Sequence, residues 1–188
     1  MSSRPPPKVT ETYRALGSFA SNPVTELLDG ELVTNCRPRM VQALAASALL
    51  GSLGGPFMRG RGGPGGWVLL SEPELHLGGE IIVPDLAGWR RERMPQLPNV
   101  TAMTVAPDWV CEVLSEETEA LDRGSKMLAY AREGVEHVWL VNPAERTLEV
   151  YQLEDECWSL LGVHEDSAIV RAEPFRAIRL ELDPLWQR

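Results

Sequence analysis

Asp85, Glu112 and Lys126 are the residues whose surroundings give them a chemical use beyond solubility. Asp85 follows Pro84 directly after the apolar run Ile81–Val83, which places it in or at the end of a strand. Glu112 lies inside the apolar run Trp109–Leu114, between Cys111 and Val113. An acid in the middle of a buried strand is costly to desolvate unless something pairs with it. Lys126 stands four residues after Asp122 on an expected helix, so the two share a face. Two carboxylates on adjacent strands with an ammonium nearby make a Mg²⁺ site. Hard cations take one or two carboxylates and retain waters, which leaves room for phosphate oxygens. The lysine would stabilise developing negative charge, or orient and deprotonate an attacking water.

Each of these residues also has a plainer reading. A Pro-Asp pair is ordinary turn chemistry. Glu112 would face solvent if its run were an edge strand. Asp122 and Lys126 could be a surface i,i+4 pair contributing about 0.3 kcal/mol. The lysine count weighs against this last alternative. Of 18 basic residues only Lys8 and Lys126 are lysine, the other sixteen being arginine. Lysine is a compact charge with a movable pKa, whereas guanidinium stays protonated.

The elements that would position these groups follow from periodicity. A short helical or turn segment runs from about Ala20, and DGELV then reads as turn and strand. Pro38 suits the first position of a helix continued by Met40, Val41, Leu44, Ala45, Ala48 and Leu49. Gly51–Gly66 reads as a flexible loop presenting Arg59 and Arg61. It lacks the G-K-[ST] ending of a phosphate loop. Strands are expected at Trp67–Leu70, Leu75–Leu77, Ile81–Ala87 and Trp109–Leu114, with Arg90, Arg91 and Arg93 in a loop between the last two. Ser115 and Thr118 offer cap hydroxyls to a helix that runs to Glu133 and ends at Gly134. His137–Val141, a hairpin of Leu148–Leu153 and Cys157–Val163 turning at Glu154–Glu156, and a last strand at Ala177–Leu182 complete the set. The class is α/β or α+β, a mixed sheet with helices packed on it. Residues 1–19 are expected to be a flexible leader and 20–188 a single domain.

The 27 acidic residues give a net charge of -9, which argues against a protein coating nucleic acid with a broad basic face. It leaves room for a local basic patch beside an acidic pocket. Cys36, Cys111 and Cys157 are scattered, so reduced, buried thiols are expected. With no secretory leader and no apolar stretch read as long enough to span a bilayer, the expectation is a cytoplasmic protein without a membrane partner.

The segments ELLDGELV, VPDLAGW and DWVCEVLSEETEALDRGSKMLAYAREGVEHVWLVNPAERTLEVYQL resemble the Uma-type "putative restriction endonuclease" family of the PD-(D/E)XK nuclease superfamily. The resemblance runs from about Glu26 to Leu161. Its specific part is the order PD, E-V-L-S, D-x-x-x-K-x-x-x-Y and G-V-x-x-x-W-L-V-x-P. It implies a central mixed sheet flanked by helices. It matches Asp85 to the first metal-binding carboxylate and Glu112 to the acid of the (D/E)XK strand, with the Val113 carbonyl as a further metal ligand. Two positions after Glu112 stands Leu114 rather than lysine, and Lys126 on the following helix is the residue that would supply it. Asp122 would orient that lysine. The histidine often found on the family's first helix is missing between Pro38 and Leu50.

Together these readings point to a Mg²⁺- or Mn²⁺-dependent nuclease acting on DNA, with Arg59, Arg61, Arg90, Arg91 and Arg93 as phosphate-backbone contacts. Glu26 and Glu80 are further acidic candidates, and Trp89 and Trp186 candidates for a homodimer interface, the core or base stacking. The rival readings are a catalytically inactive nucleic-acid- or protein-binding module on the same fold, and a hydrolase of small phosphoesters.

Overall fold

The computed structural model describes residues 24–35 and 39–187. The expected flexible leader, Cys36 and the helix-opening role of Pro38 fall outside those residues. The described chain opens on a hairpin of β1 (Val24–Leu28) and β2 (Glu31–Asn35), joined at Asp29-Gly30. Both turn residues have positive φ, 50° and 80°, the conformation for which Asp-Gly is selected in two-residue hairpins. The helical or turn segment expected before DGELV is therefore a strand over its described part.

Helix α1 (Met40–Leu53) continues into a single wide turn, Gly54–Met58. The expected loop at Gly51–Gly66 thus begins only near Arg59. Buried Leu49, Leu53 and Phe57 hold the helix against the sheet, outweighing the roughly 1 kcal/mol cost of each interior glycine. Met40–Met58 is also, among the described residues, the one helix long and apolar enough to cross a bilayer by length and composition. Its inward side belongs to the core.

Six strands form the main sheet in the order β10-β9-β8-β7-β6-β3. They are β3 (Trp67–Ser71), β6 (Leu86–Arg90), β7 (Trp109–Val113), β8 (His137–Asn142), β9 (Thr147–Glu154) and β10 (Cys157–Glu165). Only β7 and β8 pair in parallel, which makes the sheet mixed. A second sheet, ordered β2-β1-β5-β4, adds β4 (Leu75–Leu77) and β5 (Glu80–Ile82). The single strand expected over Ile81–Ala87 is split between the two sheets at Val83-Pro84-Asp85, because proline cannot supply a ladder hydrogen bond. The last expected strand shrinks to β12 (Leu180–Glu181), paired with β11 (Ile169–Val170) ahead of the short helix α3 (Asp183–Trp186).

Helix α2 connects β7 to β8. It runs as Glu119–Leu121, a wide π turn Asp122–Lys126, and Met127–Arg132. The Ser115 hydroxyl caps its entry by accepting from the Thr118 amide at 3.2 Å, and Gly134 ends it with φ 71°.

The main sheet separates two cores. On one face α1 and the C-terminal segment bury Trp67, Trp109, Trp139 and Phe175 in mutual edge or tilted contacts. On the other, the small sheet and α2 cover Ala87, Val110, Val138 and Leu140. Trp89 and Trp186 are both buried, with their indole N–H groups donating to the carbonyls of Val105 and Asp166, so they are core residues rather than interface residues. Cys111 is buried as expected, but Cys157 is exposed.

Gly88 marks a tight crossing within the aromatic core. A Cβ there would lie 2.8 Å from Leu69 Cδ2 and 3.1 Å from Trp109 Cε3. Gly88→Ala is expected to cost about 1–3 kcal/mol, read as a lower urea midpoint at unchanged slope. An unaltered midpoint would show that the aromatic core yields freely there.

Candidate active site

β7 alternates its side chains between the two cores. Trp109, Cys111 and Val113 face α1, while Val110 and Glu112 face the small sheet and α2. Glu112 is therefore fixed on the buried inner face of a central strand, 2% exposed, which excludes the edge-strand reading. Its neighbour across the ladder is the start of β6, where Leu86 pairs with Cys111. Asp85 sits one residue before that pair and is only partly buried. It accepts the Val113 amide at 2.7 Å through Oδ2, and its own amide lies 3.4 Å from Glu112 Oε2. The strand break at Val83-Pro84-Asp85 thus sets Asp85 against the β7 segment that carries Glu112.

Lys126 reaches the same place from the π turn of α2. Its Nζ lies 3.3 Å from Glu112 Oε1, 3.2 Å from Asp122 Oδ1 and 3.1 Å from Glu26 Oε1. The lysine and its three partners are all buried, so the surface-pair reading of Asp122 and Lys126 does not hold. Glu26, on β1, also accepts the Val83 amide at 2.8 Å, joining the lysine to the segment that carries Asp85. Tyr130, one turn after Lys126, donates its hydroxyl to Glu112 Oε1 at 2.5 Å. One oxygen of Glu112 is held by lysine and tyrosine, and the other is turned toward Asp85.

Electrostatics follow from this burial. Desolvation lifts Asp85 to about 6, opposed by the Val113 amide and Lys126 and reinforced by Asp122 and Glu72. Burial also pushes Glu112 well above the carboxylate range, with Lys126 opposing and Asp122, Asp85 and Glu26 adding. For Lys126 burial favours the neutral amine, but Glu112, Glu26, Asp122 and Asp85 together outweigh it and hold the group above the usual lysine range. An ammonium so held does not abstract a proton from water at neutral pH. Of the two roles expected for Lys126, an ammonium so held suits charge stabilisation better than deprotonation of a water.

The pocket holds four carboxylates against one ammonium, and burial penalises the ionised forms of two of them, Asp85 and Glu112. Hard oxygen donors and excess negative charge fit a divalent cation such as Mg²⁺ or Mn²⁺. Among the described residues no three His, Cys, Asp or Glu side chains form a ready-made metal cage. A third donor would come from the Val113 carbonyl, which accepts the Gln42 side-chain amide at 3.1 Å and keeps a second lone pair. Gln42 lies on the first turn of α1, oriented by the Arg39 amide donating to its Oε1 at 2.7 Å. Sequence reasoning missed Gln42 and gave Tyr130 no role. For Tyr130 the signal was present, since it closes the D-x-x-x-K-x-x-x-Y spacing on one helix face.

The arginines are elsewhere. Arg90 closes β6, five residues after Asp85, roughly 17 Å away at about 3.3 Å per extended residue. It lies 4.9 Å over the Trp67 ring and 3.5 Å from Glu136. Arg93 binds the buried Asp108 at 2.8 Å. The Arg91 amide bonds Gly66 at 2.8 Å, which brings the loop carrying exposed Arg59 and Arg61 to this same end. Glu80 pairs with Arg132 rather than with the pocket acids.

Comparison with known proteins bears on the family and the fold. The family model Uma2, described as "Putative restriction endonuclease", matches residues 10–183. Among solved structures the fold is similar to that of a protein from Anabaena variabilis described as a "putative nuclease belonging to DUF820". The TM-score is 0.76 at 21% sequence identity, over 96% of this chain and 98% of the other. No curated protein matches.

Proposed function

Since the chain belongs to the Uma2 restriction endonuclease family, we propose that it is a nuclease whose pocket at Asp85 and Glu112 works with Mg²⁺ or Mn²⁺ to hydrolyse phosphodiester bonds in DNA. The observation that carries this reading is the convergence of Asp85, Glu112 and Lys126 from three separate elements. Asp85 and Glu112, with the Val113 carbonyl, would hold the cation. When bound, such a cation polarises a phosphoryl oxygen and acidifies water. Lys126, fixed as an ammonium beside Glu112, offsets negative charge in the pocket. Tyr130 and Lys126 hold one Glu112 oxygen and so leave the other for the metal. Gln42 fixes the Val113 carbonyl.

Nucleic-acid binding would rest on Arg59, Arg61 and Arg91, for which no carboxylate partner is found among the described residues. Arg90 and Arg93 are engaged by Asp108 and Glu136 and serve the fold first. These arginines would grip the phosphate backbone at a distance from the scissile bond.

The test is incubation of purified protein with plasmid, linear duplex and single-stranded DNA, with Mg²⁺ or Mn²⁺ and with chelator. Cleavage that needs the metal and is lost in both Asp85→Ala and Glu112→Ala is the expected result. DNA left intact in every condition, or cleavage surviving either substitution, would overturn the reading.

A further inference from the structure

Lys126 has more anionic company than a catalytic contact needs. Three oxygens from three elements surround its Nζ: Glu26 on β1 at 3.1 Å, Asp122 on α2 at 3.2 Å and Glu112 on β7 at 3.3 Å. An ammonium has three protons and no acceptor, and these three ion pairs more than compensate its charge. With a side chain only 5% exposed, it is shut off from solvent behind those carboxylates. The lysine therefore acts as a fixed charge rather than as a substrate contact.

Glu112 is shared between two places. Its Oε1 belongs to Lys126 and Tyr130, and its Oε2 is turned toward Asp85. A carboxylate divided in this way resembles the bridging ligand of a two-metal centre, where the ions stand about 4 Å apart. Here one of the two positions is filled by protein.

We propose that Lys126 is a resident cation occupying the place of a second divalent ion, so that the wild-type pocket takes one Mn²⁺ or Mg²⁺, at Asp85 and Glu112, and a chain without the ammonium takes two. The inference rests on the metal-dependent reading above. Once the ammonium is gone, Glu26, Asp122 and Glu112 Oε1 face one another as hard oxygen donors. The shell about 3.2 Å in radius must contract by roughly 1 Å to reach the 2.1 Å typical of a small divalent ion.

The experiment is calorimetric titration of the full chain with Mn²⁺ at pH 7.5, paired with electron paramagnetic resonance. Wild type is expected to bind one Mn²⁺ with an isolated-ion spectrum. Lys126→Ala should bind two and show the spectrum of a coupled pair. Lys126→Arg, which keeps a cation among the same three carboxylates, should bind one Mn²⁺ like wild type. Two ions in wild type or in Lys126→Arg, or one in Lys126→Ala, would each overturn the proposal. If Lys126→Ala does not fold, the wild-type and Lys126→Arg stoichiometries still decide. A wild type that binds no Mn²⁺ sinks the metal-dependent function along with this inference. One bound ion in both wild type and Lys126→Ala sinks the inference alone.

Discussion

Lys126→Met is expected to cost about 3–5 kcal/mol of folding stability at pH 8, because removing one partner of a buried ion cluster leaves the others charged and unpaired. The loss should shrink markedly at pH 5. Glu112 and Asp85 are already displaced upward by burial, and without the ammonium they rise further. Between the ordinary carboxylate range and those raised values the folded state binds more protons than the unfolded one, so stability increases as pH falls. The lysine's own contribution is present throughout this window, since its raised folded value and its ordinary unfolded value both lie above pH 8. Urea unfolding of wild type and Lys126→Met at both pH values measures the effect. An equal loss at pH 5 and pH 8 would mean that the ammonium is held by packing rather than by its carboxylates.

Asp85→Asn is expected to separate stability from activity. Asp85 carries a value raised from 3.8 to about 6, so its ionised form is a burden on the metal-free fold at pH 8. A shift of that size corresponds to about 3 kcal/mol. The amide keeps an acceptor for the Val113 N–H and removes the charge, so the metal-free variant should gain about 1–3 kcal/mol over wild type at pH 8. At pH 4, where Asp85 is protonated in the folded wild type, the gain should vanish. The same substitution should abolish Mn²⁺ binding and reduce DNA cleavage by about 10³-fold or more, equivalent to roughly 4 kcal/mol of barrier. Thermal unfolding with chelator and cleavage with Mn²⁺ are the paired measurements. A variant less stable than wild type without metal, or one that still cleaves, would show that Asp85 is structural.

The chemistry of this pocket was legible in the sequence where a local pattern encodes it. An acid flanked by apolar residues in a buried strand, and an i,i+4 acid–lysine pair in a lysine-poor chain, place Glu112, Asp122 and Lys126. Glu26 was weighed as an acid candidate, but its contacts were not legible. Binary patterning assigns a glutamate between Thr25 and Leu27 to solvent, and only the pairing of β1 with β5 brings it under the lysine. Gln42 is similarly hidden, because its role depends on where α1 crosses β7. Arg90 lies farther from Asp85 than its place in the sequence suggests, for a geometric reason. Arg90 is five residues from Asp85, which would be little more than one turn in a helix, but an extended strand carries it to the far end of the sheet. The glycines of 51–55 suggested a loop because propensity cannot register the aromatic core that Leu53 and Phe57 enter.

The π turn of α2 has a consequence for how this gene can vary. The turn inserts one residue into the helix between Leu121 and Met127, and the phase it creates aims Lys126 and Tyr130 at Glu112. Arg123 is exposed, and a side chain added at Gly124 would meet open space. Residue identity is therefore loosely constrained at Gly124, whereas Arg123 is tied to Glu119 and bidentately to Glu149. Deleting the residue at 124 would let an ordinary helical turn replace the wide one, with Asp122 and Lys126 three residues apart instead of four and the helix beyond kept in phase. An in-frame loss of three bases at 124 would therefore be taken up within the turn itself, at the spacing of Asp122 to Lys126, and not be passed along the helix.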